Sequence, residues 1–244
     1  MRFQSTASND SSDEVQQFFK WILDIGEGRV PHVNNEDGCI QIPSTYLLRI
    51  NNSPLEAAVD FAYPNFNINY GSVLYLQGRA ILAPTRDIVQ EVNYYMLNLT
   101  SSGGKDYFSS DSVCNAIFDT DRPENIYTTY VLNGINVSGL LAQKITLNVG
   151  IPIMLLINVD QSVGLCNGTR LTVTHLGENV IGAEIITGCH SGYLEFIARI
   201  NMTHNDDRWP FKLQRRQYPL TVSYAMTINK SQGQSLSSVC LYLR

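Results

Sequence analysis

The run Arg79-Ala80-Ile81-Leu82-Ala83-Pro84-Thr85 is the feature that most narrows what this chain can fold into. An apolar strand empties into a Pro-Thr step that can cap a helix. The helical stripe then follows at once in Ile88, Val92, Tyr95, Met96 and Leu99. Strand, tight turn and helix make one repeat of an α/β layer, whose strands lie parallel under covering helices. Upstream, the spacing of Val15, Phe18, Phe19, Ile22 and Leu23 predicts a helix over 12–25, capped by Ser11 or Ser12 and ended by Gly26 in the left-handed conformation. Cys39 to Ile42 reads as a short strand stopped by Pro43. Ser53-Pro54-Leu55-Glu56 predicts a second helix with a capping box, ending by Tyr63 because Pro64 follows.

From Lys144 the pattern changes. Ile145 to Val159, Thr169 to Leu176, Val180 to Thr187 and Leu194 to Met202 read as strands separated by Gly- or Asn-containing turns, which predicts a small barrel or sandwich. Leu220 to Ile228 is again a strand, followed by a polar loop and a last strand, Val239 to Leu243. The predicted organisation is therefore an α/β layer over 1–115, a linker over 116–143, a β-rich insertion over 144–217, and a return to the layer over 218–244.

Composition limits the chemistry. The 244 residues, 44% hydrophobic and 16% charged, can bury a sizeable core. No stretch approaches the ~20 consecutive apolar residues that span a bilayer, so no membrane partner is expected. The polar, acidic start is unlike a secretory or organellar leader, and the five cysteines are scattered without paired spacing. Both point to an intracellular protein with reduced thiols. The four histidines show no zinc spacing, and no metal site is expected. The net charge of −5 is divided unevenly: Arg208, Lys212, Arg215, Arg216, Lys230 and Arg244 face no acidic residue from position 208 onward. Such a basic end could follow a phosphate backbone, or it could be a solvated face with counter-charges elsewhere in the fold.

The chemistry concentrates in Thr227-Ile228-Asn229-Lys230-Ser231-Gln232-Gly233-Gln234-Ser235-Leu236. A strand there delivers a loop with a cation, hydroxyls, amides and a glycine, groups able to hold a phosphate. The alternative is a plain surface turn after a strand. The loop lacks G-x-x-x-x-G-K-S/T spacing and is not a primary nucleotide cradle.

These residues resemble motif V of superfamily-one DNA helicases of the petite-integration-frequency type, including their Helitron-like members. GRAILAPTRDIVQEVNYYML, YFSSDSV, LNVGIPIMLLINVDQSVGLCNGTRLTV and PFKLQRRQYPLTVSYAMTINKSQGQSL resemble successive blocks of the same family, and MRFQS resembles the end of its motif IV. The resemblance implies the second RecA-like domain of an ATP-dependent, 5′-to-3′ DNA helicase, interrupted by a Src-homology-3-like barrel. It implies ATP and Mg²⁺ as cofactors of the full-length enzyme, with neither bound by this fragment alone. The partners it implies are single-stranded DNA and a missing N-terminal RecA-like domain. A monomer working in the nucleus, with the mitochondrion as the alternative, in DNA repair, recombination and telomere maintenance, is the corresponding expectation.

By the same resemblance, Arg2 takes the motif IV position that meets the γ-phosphate. Gln232, Gly233 and Gln234 couple to the nucleotide, and Thr227, Asn229, Lys230 and Ser231 face the DNA backbone. Arg170, Arg215 and Arg216 are further candidates for touching DNA. Arg215 and Arg216 point to opposite faces of an extended strand, so at most one is expected to meet phosphate. The sequence lacks a Walker lysine loop, an acidic Mg²⁺-binding motif and motif VI, and has Ile157 where relatives often carry arginine and Ala198 where they often carry proline. The chain alone is therefore expected not to hydrolyse ATP. The other possibility is a non-catalytic, truncated module that binds single-stranded nucleic acid.

Overall fold

The computed structural model describes residues 9–30, 39–50, 53–100, 103–114, 128–135, 137, 139–204 and 211–243. Arg2, Arg208 and Arg244 lie outside them. The chain divides into two compact units, 1–49 and 50–244.

In the smaller unit, α1 (Asn9–Gly26) starts earlier than expected, so Ser11 and Ser12 fall inside the helix. Its left-handed terminator is Gly28 (φ 68°), not Gly26. The Arg29 amide reaches back to the Asp24 carbonyl at 2.8 Å, closing the helix with satisfied carbonyls. The apolar stripe gathers aromatic rings: Phe18 meets Tyr46 edge-on at 5.1 Å, and Trp21 stacks on Tyr46 at 5.8 Å. The stretch 39–42, expected as a strand, forms only a single bridge at Ile40.

The larger unit begins with α2 (Pro54–Ala62), α3 (Phe66–Asn69) and α4 (Val73–Gln77). Pro54 opens α2 as expected, but the Ser53 side chain makes no capping bond, so the predicted capping box does not form. Then come β1 (Arg79–Ala83) and α5 (Arg86–Leu99), with Thr85 Oγ1 accepting from the Ile88 amide as the cap. Val92, Asn93 and Met96 form the buried side of α5.

The antiparallel part comprises β2 (Lys105–Phe108), β3 (Ser110–Cys114), α6 (Thr129–Asn133), β4 (Lys144–Leu147), β5 (Pro152–Leu155), β6 (Arg170–Leu176), β7 (Val180–Ile185), β8 (Leu194–Ala198), β9 (Ile200–His204), β10 (Lys212–Gln217) and β11 (Leu220–Val222). The chain ends in β12 (Ala225–Thr227), a 3₁₀ turn at Ile228–Ser231, and β13 (Ser238–Leu241). Among the described residues no helix is long and apolar enough to cross a membrane.

Two kinds of sheet result. A parallel sheet has the order β12-β1-β13, with Ile81 opposite both Ala225 and Cys240. A five-stranded antiparallel sheet runs β11-β5-β6-β7-β8, beside a three-stranded sheet β3-β10-β9 and the pair β2-β4. The mixed α/β class is as expected. Among the described residues no sheet closes on itself, so the expected Src-homology-3-like barrel does not appear as a closed barrel.

The expected boundaries move with the pairing. Strands β2 and β3, assigned by sequence to the α/β layer, pair with β4 and β10 in the antiparallel part. The apolar run 220–228 is not one strand. Its first half, β11, pairs with β5; its second half, β12, pairs with β1. The long run 145–159 is likewise cut, at Gly150, whose φ of 88° is left-handed.

The crossing between sheets at Ser223-Tyr224 is held by polar side chains. Asn93 Nδ2 donates to the carbonyls of Val222 (3.0 Å) and Ala225 (3.1 Å), and Asn93 Oδ1 accepts from the Ala225 amide (2.8 Å). The Tyr63 hydroxyl donates to the Tyr224 carbonyl at 2.7 Å. Arg170, 0% exposed, donates to the carbonyls of Gln77 (3.3 Å), Arg79 (3.1 Å) and Ser223 (3.3 Å). Burial pulls the Arg170 guanidinium below its ordinary pKa, partly offset by Tyr63. Burial also pushes the Tyr63 and Tyr224 hydroxyls well above theirs.

Arg215 is equally closed off. Its guanidinium grips Asp111 in a bidentate pair, Nε to Oδ1 at 2.9 Å and Nη2 to Oδ2 at 2.6 Å, and both side chains are fully buried. Its Nη1 donates to the Leu141 carbonyl at 2.9 Å, and its Nη2 donates to the Leu132 and Ile135 carbonyls, in and just after α6. Removing one partner of such a pair strands the other charge. Arg215→Met should therefore lower the unfolding free energy by about 3–5 kcal/mol in urea titrations, and adding Asp111→Val should restore much of that loss.

Candidate nucleic-acid interface

In parallel α/β sheets, ligands gather where strands end and helices begin, because backbone amides and the helix dipole converge there. Here Ala83 lies opposite Thr227, so β1 and β12 finish side by side. From that edge β1 leads into the N-terminus of α5, and β12 leads into the polar loop singled out by sequence.

The loop is fastened at its base and open at its tip. Its far end returns to Gly78, whose carbonyl accepts from the amides of Ser237 (2.8 Å) and Ser238 (2.9 Å) and from the Ser237 hydroxyl (3.1 Å). A Cβ on Gly78 would stand 2.3 Å from Ser237 Oγ, so the hydroxyl would have to turn away from its present place. Within the loop, Ser231 Oγ donates to the Ile228 carbonyl at 2.7 Å and the Gln234 amide donates to the Ser231 carbonyl at 3.0 Å. Gly233 turns the chain with φ 80°. Asn229, Gln232 and Gly233 are exposed, while Thr227, Lys230, Ser231 and Gln234 are half-buried.

Lys230 stands out electrostatically. It has no hydrogen-bond or ion-pair partner among the described residues. Partial burial, and then the neighbouring Arg86 guanidinium, hold its amine below the ordinary 10.5. Arg86 is the first residue of α5, where the helix dipole adds further positive character. Asp87 follows it but is not among the charges acting on Lys230. The edge thus collects two cations and a helix N-terminus, an arrangement suited to a phosphate group. Arg86 carries no local sequence signal, because its significance comes from a loop far along the chain.

Beside the loop lies a cleft of about 440 Å³. Gln232, Gly233 and Gln234 line one wall; Asn167, Gly168 and His190, from turns of the antiparallel part, line the other. His190 is packed tightly against Gly164: a Cβ there would meet the imidazole Nδ1 at 2.6 Å. No sequence signal singled out His190 or Gln77, which also borders the cleft.

The structure brings Thr227, Asn229, Lys230, Ser231, Gln232, Gly233 and Gln234 together on one loop. It does not bring the three candidate arginines there. Arg170 and Arg215 are 0% exposed, with guanidinium groups committed to carbonyls and to Asp111, which corrects the expectation that they offer charge to DNA. Only Arg216 of the adjacent pair is exposed. It stands on β10 and is not among the residues lining the cleft. The basic C-terminal stretch is therefore not one surface. Among the described residues no group of three or more His, Cys, Asp or Glu could hold a metal ion. Arg2 lies outside the described residues.

Residues 131–176 match the family model described as the 2B domain of DNA helicase Pif1, a segment running from α6 through β6. The ATP-dependent DNA helicase PIF1 of Xenopus laevis is 34% identical over 111 residues, which covers 43% of this chain and 16% of that protein. The enzyme of the same name from Homo sapiens is 32% identical over 105 residues, covering 41% of this chain and 15% of that protein. The matches thus span about a sixth of these relatives' length. Among solved structures, Pif1 helicase from Candida albicans aligns with a TM-score of 0.49 at 23% identity, covering 78% of this chain and 44% of that one. Over less than half of its length the chain is thus similar to Pif1-type DNA helicases.

Proposed function

We propose that this chain is the C-terminal portion of an ATP-dependent DNA helicase that moves 5′ to 3′ along single-stranded DNA, and that the 228–235 loop grips the strand. The carrying observation is Lys230: a half-buried cation held beside Arg86 with no carboxylate partner among the described residues. A half-buried amine beside a guanidinium is disfavoured as a cation, and an anion brought to Lys230 relieves that cost. A DNA phosphate meets that need, and the names of the relatives make DNA the natural source of it.

In this proposal the parallel sheet with α5 belongs to the second RecA-like domain, and the antiparallel part is the accessory domain. ATP is held against a preceding RecA-like half, since the sequence here has no Walker loop. Mg²⁺ would be held there too. The residues of this chain perform two tasks. Lys230 and Arg86 neutralise a backbone phosphate, with Asn229, Ser231 and Thr227 supplying polar groups around it. Gln232, Gly233 and Gln234 relay that grip to the nucleotide.

The first test is fluorescence titration of labelled single-stranded DNA at several salt concentrations. Salt-sensitive binding is expected. Lys230→Ala should weaken it and lower the log–log salt slope by about 0.7, the value for one fewer neutralised phosphate on a single strand. Arg86→Ala should behave alike. An unchanged slope in both variants would count against the loop as the grip. Joined to an N-terminal RecA-like half and motif VI, the chain should show strand-stimulated ATP hydrolysis; binding without any turnover would leave a non-catalytic module.

A second expectation concerns stability. Because the folded Lys230 amine is held below 10.5, its penalty is complete at neutral pH and fades only as pH rises through the folded value toward 10.5. Lys230→Met should therefore raise the melting temperature at pH 7, by roughly 1–3 °C, even as it weakens DNA binding. Melting curves should converge as pH approaches 10.5.

A further inference from the structure

The loop touches the antiparallel part through one side-chain hydrogen bond. Gln234 Nε2 donates to the Gly168 carbonyl at 3.0 Å, the only hydrogen bond between the 228–237 segment and residues 144–204 among the described residues. The accepting turn is well fixed. Thr169 Oγ1 donates to the Gly164 carbonyl at 2.8 Å and accepts from the Cys166 amide at 3.2 Å. The Asn167 amide donates to Asn158 Oδ1 at 2.8 Å, and the Gly168 amide donates to the Leu155 carbonyl at 2.9 Å. Gly168 has φ 90°, and a Cβ there would sit 3.7 Å from Gln234 Nε2.

Two residues further on, Arg170 ties the same segment to the carbonyls of Gln77 and Arg79, at the foot of β1. The 164–170 segment is therefore pinned to the parallel sheet at one end and holds the loop at the other. By contrast, between Ser231 and Ser237 the loop's own bonds are few.

We propose that Gln234 is a positioning residue: it fastens the 228–235 loop to the 164–169 turn, so that displacement of the loop by a bound strand is felt by the accessory part and the reverse. The proposal rests on the loop being the strand grip. It extends that reading from the loop's own chemistry to the partner element that sets the loop's position. Gln234 need not touch DNA. It acts by keeping Lys230 beside Arg86, and releasing the Gly168 carbonyl frees both elements at once.

The test uses the full chain and Gln234→Met, which keeps the side-chain length and removes the donor. In amide hydrogen exchange, removing one such bond should speed exchange about fivefold in both 229–234 and 166–168, while the melting temperature stays within about 2 °C. Unchanged exchange in both segments, or a change in only one, overturns the coupling. The readout does not involve DNA, so it stands apart from the strand-grip reading. In strand titrations, Gln234→Met should weaken binding about fivefold in the parent chain and have no further effect in Lys230→Ala. Additive effects in that cycle would make Gln234 an independent DNA ligand and overturn the positioning role. If the parent chain fails to bind strand at all, the strand-grip reading fails, and the exchange result alone decides the coupling.

Discussion

Between Val222 and Ala225 the backbone leaves an antiparallel sheet and enters a parallel one, and the two ladders satisfy only part of it: the Ser223 amide donates to the Pro152 carbonyl at 2.9 Å and the Tyr224 carbonyl accepts from the Ile81 amide at 3.0 Å. Buried backbone groups without partners are costly, and side chains supply the bonds that the ladders leave unmade. Asn93 does so from α5, using its amide as both donor and acceptor. Tyr63 does so from beyond α2, and Arg170 from β6 gathers three carbonyls at the same point. Arg170 is thus a buried cation whose partners are peptide dipoles and a tyrosine. The carbonyl oxygens repay part of the desolvation that lowers its pKa. An apolar residue of the same size would leave those oxygens bare.

The loop that follows the crossing inherits its rigidity. β12 is only three residues long, so whatever fixes Ala225 also fixes the origin of the 3₁₀ turn at 228–231. The return at Gly78 fixes the other end. A loop anchored so closely at both ends can keep an uncompensated cation in place, where a freer one would swing Lys230 into solvent and escape the repulsion of Arg86. Placing unfavourable charge on a rigid base is a common way for a binding site to be ready before its ligand arrives.

Much of this was legible in the residues, and the failures share a cause. The Arg79–Leu99 block announced strand, cap and helix because that signal is local: an apolar run, a Thr cap and a helical stripe. The polar loop was equally local, a strand end followed by a contiguous run of hydroxyl, amide and cationic residues. Partnership across long separations was not legible. Arg215 reads as a surface cation until Asp111, 104 positions away, is known to face it. Arg170 reads as a turn residue until the crossing it serves is seen. Asn93 interrupts an apolar stripe and so looks like a solvent-facing position. The run 220–228 is largely apolar, and nothing in its composition marks where one sheet is exchanged for another. Arg86 carries no mark of its own, because its importance lies in a lysine near the other end of the chain.

The arrangement of the parallel sheet bears on how the molecule is made. Its middle strand, β1, takes both neighbours from far later in the chain, Ala225 on one side of Ile81 and Cys240 on the other. During synthesis at a ribosome, β1 and α5 emerge long before either flanking strand exists, and the whole antiparallel part is completed in between. Pairings of such high order close slowly, and an apolar strand with both edges bare is prone to stray association while it waits. The early fold of this chain would therefore be its antiparallel part, with β1 kept in reserve until the last segment arrives.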